Sequence, residues 1–550
     1  MNFNEKNDNK IADTIHSRIN FITNLLQGKS IEPIVDFYNT ATENFVGKQE
    51  KDENDSGCSY DTRIVLQKKY HDFTKIIMQI SNGEEEQLEY IKSGTSGHTF
   101  HGVSRIDANN IFEYGVKVVA YPKKEQYGDM YDVRRPENAE LNMIKLLSYF
   151  VVRKQTPHIV LPMGTFDTNI ETFTSSNLID VVCELDENGK RKPNEKYDEF
   201  IEKYKNGDYY DKVSVLISEW ANRGDLLDFL RKYHASPNFT LGHWKSIFFQ
   251  LLSVLAVIQS KYPSFRHNDL KANNLLVHKI TKPDVYFKYQ IAKKKYRVNN
   301  IGYQIKMWDF DFACIPGVVD NKKVELEWTR IINVTPEQNQ YYDVHYFFNT
   351  LIKKGFVSGI MTNKNVPQEV RDFINRILPE KYRNNPLMNE LKLFIDKNMP
   401  DKYKDNQYGS KYINGYPINP SIKKYIDNMI PDKFKGMKTG VVHEKGRLLV
   451  NDEYLTPLQI LENDPFFAEY RVEDKMIELV PREQKIVENY DGRNNGIIGG
   501  NYADPTILNI MSSRDIDIDK ILGGNKQKIK KVSKRSNSNS KKKKNSKRSK

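Results

Sequence analysis

Residues Arg266–Val277 read RHNDLKANNLLV. Asp269 stands two positions before Lys271 and five before Asn274, in a polar patch between the apolar run FFQLLSVLAVI (Phe248–Ile258) and LLV (Leu275–Val277). The flanks predict a buried helix and a short strand, which makes the patch a loop held by rigid elements. Such a loop can aim its side chains. An Asp can accept a hydrogen bond from a hydroxyl and orient it. A Lys two residues on can neutralise a transferring phosphoryl group, and an Asn can offer its carbonyl oxygen to a metal ion. Phosphoryl transfer needs these three roles, because its catalysis is mostly positioning and charge stabilisation.

Outward from this loop the hydrophobic pattern divides the chain. Upstream lie five short β-branched and aromatic runs, QLEYIKSG, HTFHGVSRI, IFEYGVKVVAY, HIVLPMGTFD and VSVLISEWA. These read as strands. One helical segment, PENAELNMIKLLSYFV, interrupts them, and its Pro136 suits a first helical turn. After Gly224 the patterns are mostly helical. The order predicts an α+β chain with a small sheet-rich lobe (86–221) and a larger helical lobe with insertions (222–468). Before them, 1–85 carries helical spacing at Ile11, Ile15, Ile19, Ile22 and Leu26, and again from Tyr70 to Ile80. These helices are expected to pack on the next unit. Asn169–Asp211 reads as an insertion or long loop, and AKKKYR (292–297) as a solvated hairpin. The region 349–444 gives no assignable pattern. Residues 469–525 read as an extended linker, and 526–550 as a disordered, low-complexity tail.

The segments around the loop carry an ordered set of chemical groups. IKSGTSGHTF (Ile91–Phe100) follows a strand, and its glycines let backbone N–H groups approach phosphates. Lys117 sits inside the apolar strand YGVKVVAY and needs a partner if buried. NAELNMIKLL offers Glu140, with Glu137 the rival in the first helical turn, where a carboxylate suits the helix dipole. IKMWDFDFA carries Asp309, and LISEWANRGDLLDFL joins the two patterns.

In this order the stretches resemble the motifs of eukaryotic-type serine/threonine protein kinases, in a divergent form similar to those of large DNA viruses. HNDLKANN matches the catalytic loop HRDLKxxN at all but one fixed position. The resemblance implies a bilobal protein-kinase-like fold binding ATP between the lobes. Its glycine-rich loop would be Ile91, Lys92, Ser93, Gly94, Thr95, Ser96, Gly97, His98 and Thr99. Lys117, paired with Glu140, would hold the phosphates, and the backbone around Glu219 and Ala221 would hold adenine. Asn274 and Asp309 would hold Mg2+. Asp269 and Lys271 would serve the transfer to Ser/Thr hydroxyls of protein substrates. The match is weaker from Val334 onward, where Glu337 and Asp343 align across a shortened gap. Four positions depart from the family pattern: Lys92 for glycine, Thr99 for valine, Asn268 for arginine and Asp311 for glycine. The loss of the arginine implies activity that does not depend on a phosphorylated activation segment. The departures also leave room for a catalytically impaired, kinase-like binding module, and the fold by itself leaves a small-molecule acceptor open.

Composition bounds the remaining classes. The 550 residues are 38% apolar and 28% charged, enough for two compact units. The net charge of +12 is concentrated: residues 526–550 hold 13 Lys or Arg and no acid, which leaves the rest at −1. A basic groove for nucleic acid is therefore not expected in the body, though the tail can contact polyanions or serve as a localisation signal. Three scattered cysteines, Cys58, Cys183 and Cys314, exclude a disulfide framework and fit a reducing compartment. With no leader pattern and no apolar run of spanning length, an intracellular protein, cytoplasmic or nuclear, is expected.

Overall fold

The computed structural model describes residues 14–37, 68–81, 88–94, 97–105, 111–175, 194–280, 286–353, 355–357, 359–383 and 445–472, with a few isolated residues between 394 and 443. Thr95, Ser96, most of the expected linker and the basic tail lie outside them.

Two helices come first. Thr14 caps α1 (Ile15–Leu26) with a capping box, and Asp72 caps α2 (Phe73–Ile80) by accepting from the Lys75 N–H. Ile15, Phe21, Ile22 and Leu25 of α1, and Phe73, Ile76, Ile77 and Ile80 of α2, join the core that underlies the sheet. Each such burial contributes roughly 1.5–3 kcal/mol, so both helices are integral to the sheet-rich part.

The strands β1 (Glu89–Ser93), β2 (His98–Arg105), β3 (Ile111–Pro122), β4 (Pro162–Asn169) and β5 (Tyr209–Glu219) form one antiparallel sheet in the order β1-β2-β3-β5-β4. Thr99 lies opposite Lys117, whereas His98 and Phe100 lie opposite Val118 and Val116. Opposed residues share a face, so Thr99 and Lys117 are on one side and His98 on the other. Between β3 and β4 runs α3 (Pro136–Val152), with proline in its first turn.

The described parts of the stretch Asn169–Asp211, residues 169–175 and 194–211, carry helices that its sequence does not predict. It holds α4 (Glu171–Thr174) and α5 (Glu195–Lys205), the latter capped by Asn194. Only Tyr197 and Phe200 of α5 are buried, against His98. The charged remainder masks the helical period in the sequence.

Beyond the sheet the chain is mainly helical, with α6 (Leu226–Tyr233) and α7 (Leu241–Lys261). By length and composition α7 could cross a membrane, but 78% of its apolar window is buried inside the protein, so it is a core helix. Strand β6 (Leu275–Lys279) is followed by the hairpin β7 (Tyr286–Ile291) and β8 (Lys294–Asn299), then by β9 (Tyr303–Met307), which pairs with β6. The hairpin is solvated on one face only. Tyr289, Ile291, Tyr296 and Val298 are buried, because alternation turns them inward while the lysines face water. Helices α8 (Glu327–Ile331), α9 (Tyr342–Leu351), α10 (Gln368–Ile377) and α11 (Pro457–Asn463) complete this part. Residues 469 and 470, expected to begin a linker, instead close a 3-10 turn, Pro465–Tyr470, that buries Phe466, Phe467 and Tyr470.

Candidate active site

The loop Arg266–Asn274 is fixed from below and from its C-terminal side. Buried Asp343 at the start of α9 accepts hydrogen bonds from the backbone N–H groups of His267 (2.7 Å) and Asn268 (2.9 Å). His267 Nε2 donates to the Trp308 carbonyl at 3.0 Å, and Trp308 N–H donates to the Asn274 carbonyl at 3.1 Å. With Leu275 paired to Met307, these bonds set the loop beside the turn that carries Asp309. Within the loop, Lys271 Nζ is 2.9 Å and Asn274 Nδ2 3.0 Å from Asp269 Oδ2. Asn274 Nδ2 also donates to the Asp269 carbonyl at 2.8 Å. The amide nitrogen of Asn274 thus faces Asp269, which turns its side-chain oxygen away from that carboxylate.

Lys117 on β3 forms the second group. Its Nζ lies 2.5 Å from Glu140 Oε1 on α3 and 3.0 Å from Asp309 Oδ1. Glu137 pairs with Arg135 instead, at 2.8 Å. Burial disfavours the Lys117 ammonium, but Asp309 and Glu140 outweigh it and raise its pKa. Burial likewise opposes ionisation of Asp309, and Lys117 more than compensates, holding that carboxyl below its ordinary range. Glu140 is pushed up to about 7 by burial, against the attraction of Lys117 and with Asp309 adding to the rise. Asp309 has a φ of +64°, a left-handed backbone that aspartate tolerates better than most residues.

In the glycine-rich stretch Gly94 N–H donates to the Gly97 carbonyl at 2.7 Å, beyond the Ser93–His98 pairing of β1 and β2. A side chain at Gly97 would collide with the Val118 carbonyl on β3. Thr99 faces the same side as Lys117, but His98 does not. It is buried against Tyr197 and Phe200, bonded to Ser93 Oγ at 2.7 Å, and held neutral as burial lowers its pKa to about 4. Strand alternation thus sets the His98 side chain on the sheet face opposite Lys117. Ser93 is committed to the same outer contact. Lys92 extends to Asp225 at the N-terminus of α6, 3.4 Å away, which links β1 to that helix. Ile91 is exposed at 38%.

At the junction of the two parts, Ser218 and Gly115 face each other across β3 and β5. Ala221 is buried. Glu219 is held through both its backbone and its side chain. Its N–H donates to the Leu161 carbonyl at 3.1 Å. Its carboxylate is buried and accepts from Arg18 Nε (2.9 Å), Lys306 Nζ (2.9 Å) and the Leu161 N–H (2.8 Å). Burial works to raise the pKa of this carboxyl, but Arg18 and Lys306 outweigh it and hold it at about 2.

Asp311, the carboxylate in place of glycine, makes a close ion pair with Lys323 and is not strained, since its φ is not positive. Its charge is thus compensated within the segment that follows Asp309. Asn268 has a φ of +62°, where asparagine is favoured over arginine, and its amide donates to the carbonyls of Phe312 (3.1 Å) and Thr335 (3.3 Å). Arg266, fully buried, donates to Thr335 Oγ1 and to the carbonyls of Asn333 and Glu337, and stacks on Tyr342 at 3.7 Å. The Glu337 carboxylate faces Asn451.

Two residues in this network carry no sequence signal. Arg18 comes from α1, and Arg447 reaches Asp269 from near the C-terminal end of the described chain. Each is a lone arginine in a segment without a motif, so only the folded contact identifies it. Among the described residues no group of three His, Cys, Asp or Glu could hold a metal by itself.

Comparison with known proteins agrees in kind. The family described as poxvirus serine/threonine protein kinase matches residues 128–395. A protein of Acanthamoeba polyphaga mimivirus, whose name gives serine/threonine-protein kinase as an inferred activity, is 39% identical over 475 residues, covering 86% of this chain and 84% of that protein. Serine/threonine-protein kinase 2 of monkeypox virus is 34% identical over 112 residues, 20% of this chain and 23% of that protein. Its counterpart in vaccinia virus strain Western Reserve is 34% identical over 90 residues, 16% of this chain and 18% of that protein.

Proposed function

This chain belongs to the serine/threonine protein kinases of the kind found in poxviruses and mimivirus, and on that premise we propose that it transfers the γ-phosphoryl group of ATP, with magnesium, through the cluster Lys117, Asp269, Asn274 and Asp309. The observation that carries this reading is the shared frame of two charge groups. The β6–β9 pairing joins the Asp269–Lys271 pair (2.9 Å) to the Lys117–Asp309 pair (3.0 Å).

In this reading ATP lies between the sheet-rich and helical parts, as in the bilobal kinase arrangement. Lys117, kept cationic and oriented by Glu140, holds the α- and β-phosphates. The glycine-rich stretch that includes Gly94 and Gly97 lies over them, its glycines letting the backbone approach closely. Asn274 and Asp309 would hold magnesium, which when bound neutralises charge on the phosphates. Asp269 accepts a hydrogen bond from the Ser or Thr hydroxyl of the protein substrate. The hydroxyl oxygen bonds to the γ-phosphorus as the bond to the β–γ bridging oxygen breaks, ADP leaves, and the hydroxyl proton passes to Asp269. Lys271 offsets charge on the phosphoryl group in flight.

The test is incubation of the full chain with labelled ATP, magnesium and a panel of proteins, beside Asp269→Asn and Lys117→Met. Label on Ser or Thr that needs magnesium and falls about 100-fold or more in both variants is expected. Nucleotide binding with no transfer to any protein would replace this reading with that of a kinase-like binding module.

A further inference from the structure

Asp269 is held by a second cation from far along the chain. Arg447, 178 positions downstream, donates from Nη2 to Asp269 Oδ1 at 2.5 Å. Its Nη1 donates to the Asn268 carbonyl, and its guanidinium lies 4.3 Å over the ring of Tyr346. Only 6% of Arg447 is exposed.

The segment that delivers it is built into the protein. Asn349 Nδ2 donates to the Gly446 carbonyl and Asn333 Nδ2 to the Leu448 carbonyl, both at 2.9 Å, and Leu448 is fully buried. A removable plug would instead rest on exposed contacts that water can replace. The donors also divide the carboxylate. Lys271 and Asn274 both bond Oδ2, whereas Arg447 bonds Oδ1, and the Tyr346 side chain under the guanidinium hydrogen-bonds the same carboxylate.

We propose that Arg447 is a positioning residue for phosphoryl transfer: it fixes the plane of the Asp269 carboxylate, and with it the direction from which that carboxylate meets the acceptor hydroxyl. The two-armed guanidinium suits this task, because it grips the carboxylate and the adjoining Asn268 carbonyl together and so prevents rotation. The inference rests on the reading of Asp269 as the proton acceptor. It adds a group that the catalytic-loop motif does not contain.

Full-length wild type, Arg447→Ala and Arg447→Lys are compared for kcat, for KM of ATP and of a protein acceptor, and for direct ATP affinity. Arg447→Ala is expected to lose about 10- to 100-fold in kcat, the worth of one charge-assisted hydrogen bond, while ATP affinity is retained. Arg447→Lys recovers charge without the fork and is expected to fall between. Methylguanidinium added to Arg447→Ala is expected to restore part of kcat. An unchanged kcat in Arg447→Ala overturns the proposal, and a raised kcat overturns it in favour of an autoinhibitory contact. Parallel loss of ATP affinity and kcat without guanidinium rescue marks a purely structural arginine and also overturns it. If wild type itself transfers no phosphate, the failure belongs to the kinase reading of Asp269, which the wild-type assay exposes separately.

Discussion

Arg18 Nε donates to Glu219 Oε2 at 2.9 Å, joining the first helix to the strand that leads from the sheet into the helical part. The same guanidinium donates to the carbonyls of Pro157 (2.8 Å) and Ile159 (2.7 Å), and Lys306 completes the Glu219 contacts. One buried arginine therefore ties the N-terminal helix to β5 and to the segment that precedes β4. Breaking a buried pair from one side costs about 3–5 kcal/mol. Arg18→Ala is expected to lose stability near the lower end of that range, because Lys306 still pairs with Glu219. Denaturant unfolding checks this. Replacing both partners, as in Arg18→Met with Glu219→Met, is expected to recover part of the loss.

Glu219 gives the pair a pH signature. Its folded pKa of about 2 lies below the ordinary value of 4.5. The unfolded chain thus binds the extra proton first as pH falls. The stabilisation is complete above about pH 4.5 and is lost progressively toward pH 2, in total on the order of 3 kcal/mol. Unfolding midpoints at pH 6 and pH 3 are expected to differ less in Glu219→Gln than in wild type. Equal pH dependence in the two proteins would argue against the linkage.

The segment Asp309–Glu337 contains two hydroxyl side chains, Thr329 and Thr335. Both are buried and bonded: Thr329 to the Leu326 carbonyl at 2.7 Å, Thr335 to Arg266 at 3.1 Å. Neither is presented to a modifying enzyme, and Asn268 and Arg266 already hold the segment through its carbonyls. Phosphatase treatment of the purified protein is expected to leave kcat unchanged. An inert preparation switched on by another kinase acting on this segment would refute that.

Two glycines near the cleft should respond in opposite ways to alanine. A Cβ at Gly97 meets the Val118 carbonyl and, at 2.8 Å, Val119 Cγ2. At Gly115 the nearest atoms are Ser218 Oγ at 3.4 Å and the Trp220 ring at 3.5 Å, ordinary packing distances. Gly97→Ala is expected to cost about 1–3 kcal/mol by overpacking and to raise the KM for ATP. Gly115→Ala is expected to remain within about 0.5 kcal/mol of wild type. Thermal melts and ATP titrations of the two variants decide it.

The local sequence determined the strands, the helix beginning at Pro136, the loop at Asp269, and the choice of Lys117, Glu140, Asn274 and Asp309 as groups worth bringing together. Alternation, turn residues and spacing are short-range properties, and each of these features spans only a few residues. The tertiary structure decided what those signals could not encode. It set His98 on the sheet face opposite Lys117, committed the Glu219 side chain to Arg18, compensated Asp311 with Lys323 and brought Arg447 to Asp269. A salt bridge spanning 178 or 201 positions leaves no periodic trace in the sequence, because either partner alone is an ordinary charged residue until folding buries it against the other.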